Sequence, residues 1–120
     1  MKKILIVDDE PNIIMSLEYT FKKNNFEVFI ARDGLEALEI LKNNYPDIII
    51  LDVMMPMVDG YATLEQIKKD DNLINTKVVF LSAKNKTSDI EKGLQLGADA
   101  YLTKPFSIKK VVDTVMDLLT

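Results

Sequence analysis

Short apolar runs occur five times along the chain, separated by longer segments whose apolar residues follow the period of a helix. The five runs cover residues 4–7, 28–31, 48–51, 78–81 and 100–102. They contain no charged residue and most are rich in β-branched side chains, which is typical of strands buried on both faces of a parallel sheet. The pattern therefore predicts five buried strands.

The segments between these runs are predicted to be amphipathic helices. A first helix begins at Pro11 and ends near residues 24–25, with an apolar face that includes Leu17. Residues 33–36 have the form of a capping box and begin a second helix, and residues 60–69 form a third.

Two further helices follow the fourth and fifth strands. We expect Thr87 or Ser88 to cap the fourth helix, which turns Ile90 and Leu94 inward and ends at Gly97. The fifth begins after Ser107, and its apolar residues keep the helical period: Ile108, Val111, Val112, Val115 and Leu119.

A strand–helix unit repeated five times predicts the fold class. With right-handed crossovers, it gives an α/β fold with one doubly wound, five-stranded parallel sheet and five helices, flavodoxin-like in architecture. No linker or repeat divides residues 1–120, so we expect one domain. Ligands of such sheets bind at the carboxyl ends of the strands, where the strand order reverses.

Polar side chains follow four of the five predicted strands at that edge. Asp8 and Asp9 follow the first strand, Asp52 the third and Ser82 the fourth, and Lys104 lies just beyond the fifth. If these strands are parallel neighbours, three carboxylates, a hydroxyl and an ammonium group share one crevice.

Three close carboxylates repel one another, and a hard divalent cation would relieve the conflict. Mg²⁺ prefers oxygen ligands, and Lys104 and Ser82 would remain to bind an anion beside it. A carboxylate, a metal ion, a lysine and a hydroxyl around one anion suggest phosphoryl transfer onto the carboxylate.

Composition narrows the remaining possibilities. The 120 residues include neither histidine nor cysteine, which excludes imidazole or thiolate metal sites and disulfides. A net charge of −4 argues against direct nucleic-acid binding by this domain. No apolar stretch approaches the roughly 20 residues of a membrane span. We expect a cytoplasmic protein with no membrane partner.

Six segments resemble the signatures of the response regulator receiver domain, the CheY-like domain of two-component signal transduction. They are KILIVDDE at 3–10, ILDVMMP at 50–56, DG at 59–60, LSA at 81–83, GADAY at 97–101 and LTKPF at 102–106. The resemblance extends over essentially all of residues 1–120.

This resemblance implies that Asp52 accepts a phosphoryl group from a phosphohistidine. Asp9 and Asp52 would bind Mg²⁺ directly with the backbone carbonyl of Met54, and Asp8 would act mainly through water. Lys104 would bind one phosphoryl oxygen.

The resemblance also implies a switch. Ser82 would hydrogen-bond another phosphoryl oxygen, and Tyr101 would follow it inward on activation. The residues at positions 54 and 84 would modulate how fast the phosphate is lost. The peptide bond between Lys104 and Pro105 would be cis.

The implied partners are a sensor histidine kinase or a phosphotransfer protein, and an unidentified downstream protein. The domain would catalyse only its own phosphorylation and dephosphorylation, and would be a monomer or a weak dimer. A stand-alone receiver is modestly favoured over a module of a longer regulator. Regulators with a winged-helix output usually have two acids before the tyrosine, an acid early in the last helix and an arginine four residues later. Those places here hold Asp99 and Ala100, Lys110, and Thr114, which argues against the salt-bridged dimer and the DNA-binding output of that subfamily.

Two other classes of protein remain as alternatives. An Asp-nucleophile, Mg²⁺-dependent phosphohydrolase typically has a second acid two residues after the nucleophile, where this chain has Met54. A flavin-binding module of the same architecture would need a phosphate loop after the first strand, but residues 8–10 are acidic and repel phosphate.

Overall fold

Five parallel strands form a single sheet in the computed structural model, which describes residues 1–120. The strands are β1 (Lys3–Val7), β2 (Glu27–Ala31), β3 (Ile48–Leu51), β4 (Lys77–Ser82) and β5 (Ala100–Thr103). Their order in the sheet is β2-β1-β3-β4-β5. Strand order reverses between β1 and β3, which confirms the predicted doubly wound sheet.

Five α-helices connect and follow the strands. They are α1 (Pro11–Lys23), α2 (Gly34–Ile40), α3 (Gly60–Lys68), α4 (Thr87–Gln95) and α5 (Ile108–Leu119), with a 3₁₀ turn at Asp71–Leu73. Two predicted caps are confirmed: the side chain of Asp33 accepts a hydrogen bond from the backbone N–H of Glu36, and Ser107 accepts one from Lys110. None of these helices combines the length and the apolar character that crossing a membrane requires.

The sheet separates two apolar cores, to which each inner strand contributes alternate side chains. Ile4 and Ile6 of β1 pack towards α1 and α5, whereas Leu5 and Val7 pack towards α2 and α3. This two-sided burial explains why the strands are continuously apolar, because both faces of a doubly wound sheet are covered by helices. Each fully buried Ile or Leu contributes about 1.5–3 kcal/mol.

Helix α4 differs from the sequence-based expectation in two respects. The prediction that Thr87 or Ser88 caps the helix is wrong, because both lie inside its first turn and the N-cap residue is Lys86, whose side chain makes no cap hydrogen bond. Leu94, predicted to face inward, is 45% exposed. The reason is Gly93, the only buried residue of the helix, where an added Cβ would lie 2.9 Å from the Phe80 ring and 3.0 Å from the Tyr101 ring. The helix backbone thus rests directly on these rings, which leaves Leu94 on the outer side. Gly97 follows the helix with φ 111°, as predicted.

Gly60 provides a test of how closely α3 packs on the loop after β3. A Cβ at this position would overlap the carbonyl oxygen of Asp52 and lie 2.7 Å from Val53 Cα. We expect Gly60→Ala to lower the free energy of unfolding by about 1–3 kcal/mol, because backbone must move to accommodate the methyl group. Urea unfolding measures the change, and the exposed Ser16→Ala serves as the control. Equal loss of stability in both variants, or none in either, would contradict this packing.

Candidate functional site

The carboxyl ends of β1, β3, β4 and β5 bring five polar side chains to one edge of the sheet. Backbone pairing continues one residue beyond the strands: the N–H of Asp52 donates to the carbonyl of Val7 at 2.9 Å, and that of Lys104 to the carbonyl of Ser82 at 2.9 Å. These bonds set the register of the strand ends, so the side chains that follow the strands project into the same region. The cis peptide bond expected between Lys104 and Pro105 is present.

The ammonium group of Lys104 lies at the centre of this cluster. Its Nζ donates to Asp8 Oδ2 at 3.0 Å, to Asp52 Oδ2 at 3.3 Å and to Glu10 Oε1 at 3.3 Å. Asp8 and Asp52 are 2% and 3% exposed, and the Lys104 side chain is 11% exposed. Three carboxylates therefore share one cation in a largely buried site.

Burial dominates the electrostatics of the two inner carboxylates. Burial raises the pKa of Asp8 and the pKa of Asp52. Lys104 lowers both pKa values, as do the backbone N–H of Glu10 at Asp8 and that of Met54 at Asp52, but burial has the larger effect. Burial by itself lowers the pKa of Lys104, but hydrogen bonds and attraction from Asp8 and Asp52 outweigh it and raise that pKa overall. Lys104 thus stays charged, and the carboxylates remain incompletely neutralised.

The donor set beside Lys104 fits a hard divalent cation. Carboxylate oxygens of Asp8, Asp9 and Glu10 lie within 4.8 Å of one another, and the sequence has no cysteine or histidine to provide a thiolate or imidazole ligand. Asp9 also lines an open cavity of about 400 Å³ together with Met54, Asp59 and others. Oxygen ligands are those that Mg²⁺ prefers.

Ser82 and Tyr101 both bind the backbone of Lys84. The fully buried Ser82 hydroxyl accepts a hydrogen bond from the Lys84 N–H at 3.2 Å. The Tyr101 hydroxyl donates to the Lys84 carbonyl at 2.7 Å, and its ring packs against that of Phe80. Tyr101 therefore faces inward here, whereas the resemblance implies the inward position only on activation. Burial, with a smaller contribution from Tyr61, raises the pKa of Tyr101 to about 12. The two residues expected to form the switch therefore meet at Lys84.

The sequence assigned no role to Glu10 or to Asp89, which the structure places at the site. Glu10 contacts Lys104, and Asp89 Oδ1 lies 4.0 Å from Lys84 Nζ in a partly exposed ion pair. Glu10 follows Asp8 and Asp9 directly, which was a visible signal, but the direction of its side chain depends on where β5 ends. The contact between Lys84 and Asp89 depends on how the loop between β4 and α4 closes, which no sequence spacing reveals.

Known proteins resemble this chain over nearly its whole length. The model of the family described as "Response regulator receiver domain" matches residues 4–116, and the chain belongs to this family. Among curated proteins, the alkaline phosphatase synthesis transcriptional regulatory protein PhoP of Bacillus subtilis (strain 168) is 41% identical over 118 residues, which is 98% of this chain and 48% of PhoP. The probable transcriptional regulator ycf27 of Cyanophora paradoxa is also 41% identical, with the same coverage. The chain spans about half the length of the curated relatives it matches.

Solved structures give the same result. The receiver domain of the Francisella response regulator 1452 is 39% identical with a TM-score of 0.90, over 98% of this chain and 96% of that one. The chemotaxis response regulator CheY4 of Vibrio cholerae is 29% identical with a TM-score of 0.92, over 98% of each chain. These findings confirm the resemblance and do not favour a phosphohydrolase.

The raised pKa of Asp52 makes the stability of the protein depend on pH. Because the folded pKa exceeds the unfolded value of 3.8, protonated Asp52 contributes stability that is fully present below pH 3.8 and is lost as pH rises through the folded pKa. In buffer without divalent cations, we therefore expect Asp52→Asn to unfold at a higher temperature than the parent protein at pH 7. The free energy of unfolding should rise by on the order of 1.4 kcal/mol for each unit by which the fold raises the pKa of Asp52.

The pH profile of the melting temperature provides the measurement. The difference between Asp52→Asn and the parent should shrink as the pH falls towards 3.8. The exposed Glu65→Gln is the control and should shift the melting temperature little at any pH. An Asn variant that is less stable than the parent at pH 7 would show that the contact with Lys104 outweighs the cost of burial.

Proposed function

We propose that the chain is a phosphorylation-dependent signalling switch in which Asp52 accepts a phosphoryl group. The donor is the phosphohistidine of a sensor histidine kinase or of a phosphotransfer protein. The observation that carries this proposal is the buried Asp52 carboxylate, which faces Lys104 beside an acidic cluster at the point where strand order reverses. Membership of the receiver family supports it.

In the transfer step, a carboxylate oxygen of Asp52 attacks the phosphorus atom. The bond between phosphorus and the imidazole nitrogen of the donor breaks, and its electron pair stays with the imidazole. Lys104 exchanges carboxylate oxygens for a phosphoryl oxygen, and the hydrogen bonds that raise its pKa keep it protonated while it does so. Charge neutralisation and positioning are thus the main contributions of the protein.

Asp9, Asp52 and the backbone carbonyl of Met54 would hold Mg²⁺ directly, with Asp8 acting through water. When bound, the ion would neutralise carboxylate and phosphoryl oxygens that Lys104 alone leaves unbalanced. Met54 is favourably placed for this role, because its own N–H donates to Asp52 Oδ1 at 3.2 Å and it borders the same cavity as Asp9.

The switch follows from competition for the Ser82 hydroxyl. This hydroxyl accepts a hydrogen bond from the Lys84 N–H. Turning towards a phosphoryl oxygen would release that N–H, so the loop that also binds Tyr101 would rearrange. The altered face would then bind a downstream protein. Direct nucleic-acid binding by this acidic domain is not part of the proposal.

Incubation with acetyl phosphate or phosphoramidate and Mg²⁺ should add one phosphoryl group, detected by intact mass. Asp52→Asn should abolish the addition because the attacking oxygen is lost, whereas Asp47→Asn, at the opposite end of β3, should leave it unchanged. Lys104→Met should slow it roughly 10²-fold, the usual effect of removing one charge-stabilising donor. Phosphorylation that persists in Asp52→Asn would refute the assignment of the acceptor.

Mg²⁺ binding, measured by isothermal titration calorimetry, tests the metal ligands separately. Asp9→Asn should weaken binding by at least about tenfold, equivalent to about 1.4 kcal/mol, because a charged oxygen ligand is replaced by a neutral one. The exposed Glu91→Gln on α4 is the matched control. Unchanged Mg²⁺ affinity in Asp9→Asn would remove Asp9 from the proposed ligand set.

A further inference from the structure

Helix α4 is held by aromatic side chains of its neighbours more than by its own apolar residues. Only Gly93 is buried in this helix, and its Cα lies close to the rings of Phe80 and Tyr101. The centroid of the Phe80 ring is 5.6 Å from that of Tyr101 and 5.6 Å from that of Tyr61. The three rings form a continuous cluster beneath α4, with an edge-to-face contact between Tyr61 and Phe80 and a tilted contact between Phe80 and Tyr101. Such contacts add to simple burial.

Tyr61 contacts α4 at two further points. Its hydroxyl donates to the carbonyl of Asp89 in the first turn at 3.1 Å, and Lys92 Nζ lies 4.4 Å from its ring centroid. An ammonium group at this distance is attracted to the ring face. Tyr61 is 6% exposed, so both contacts are shielded from water on the ring side.

Tyr61 is also fixed to the loop that follows Asp52. Its neighbour Gly60 packs against the backbone of Asp52 and Val53, and the Gly60 N–H donates to the Val53 carbonyl at 2.8 Å. Gly60 and Tyr61 together thus join the backbone of the proposed phosphorylation loop to the first turn of α4.

The segment 84–89 is consequently held at both ends by tyrosine hydroxyls. Tyr101 binds the carbonyl of Lys84, and Tyr61 binds that of Asp89. Burial is the main cause of the raised pKa of each tyrosine, and each hydroxyl also influences the pKa of the other, as expected for groups that share one small polar cluster.

We infer that Tyr61 is a positioning residue that couples the Asp52 loop to α4, through contacts in which Ser82 takes no part. Its anchoring role stands on the contacts above, whereas its role in switching rests on the proposed function. Movement of residues 53–60 on phosphorylation would reach α4 through the Tyr61 hydroxyl and ring, in parallel with the rearrangement at Lys84.

Hydrogen exchange of the unphosphorylated protein, measured by mass spectrometry, tests whether the Tyr61 hydroxyl holds α4 in place. Tyr61→Phe keeps the ring and removes only the hydroxyl, so amides at 90–96 should exchange about 2- to 10-fold faster, the effect of losing one net hydrogen bond. Amides of β4 should be unchanged, which excludes global destabilisation. Tyr19→Phe, which is 68% exposed on α1, is the matched control. Unaltered exchange at 90–96 in Tyr61→Phe would overturn the inference.

The switching role needs a second readout that a passive structural contact would not alter. Beryllofluoride with Mg²⁺ mimics an acyl phosphate, and its addition should change exchange at 90–96 less in Tyr61→Phe than in the parent. Phosphorylation of Asp52 by acetyl phosphate should proceed at the parental rate, since no group at the acidic cluster is altered. An equal beryllofluoride response in both proteins would refute the coupling. Failure of the parent to take up phosphate would instead refute the proposed function, and the exchange of the unphosphorylated variants would still decide the anchor.

Discussion

The site depends on one interaction: the ammonium group of Lys104 donates hydrogen bonds to the buried carboxylates of both Asp8 and Asp52. Lys104 alone cannot neutralise Asp8, Asp52 and Glu10, and the two aspartates are almost fully removed from water. Burial of unbalanced negative charge costs free energy. The site is therefore less stable than it could be and favours additional positive charge.

The rest of the fold supplies the rigidity that this arrangement requires. The inner strands are buried on both faces, and the register of β1, β3 and β5 determines where the following side chains lie. A densely packed core transmits strain and resists local relaxation. For this reason Asp52 and Lys104 can be kept close together although 51 residues separate them in the sequence.

The site is linked to the protein surface mainly through α4 and the loop before it. Lys84 receives both Ser82 and Tyr101 on its backbone, and Tyr61 binds the first turn of α4. Because α4 buries little of its own side-chain surface, its position depends on a few directional contacts. Elements held in this way open and move at lower cost than the inner strands.

Much of the fold could be read from the sequence, since continuous apolar runs and helical periods record how each segment is buried. The five strands, the caps at Asp33 and Ser107 and the turn at Gly97 were predicted because each depends on local chemistry. The expectation for Leu94 failed because the face that α4 buries is decided by the close approach of Gly93 to two rings from other strands.

For the site, the sequence by itself determined which residue types stand at the strand ends, and strand order then implied that they share one edge. Only the tertiary structure decided how they are paired: Lys104 contacts Glu10 as well as the two aspartates, and Tyr61 reaches Asp89. Side-chain direction and loop closure are set by packing between segments far apart in the chain, and such long-range contacts leave no periodic trace in a single sequence.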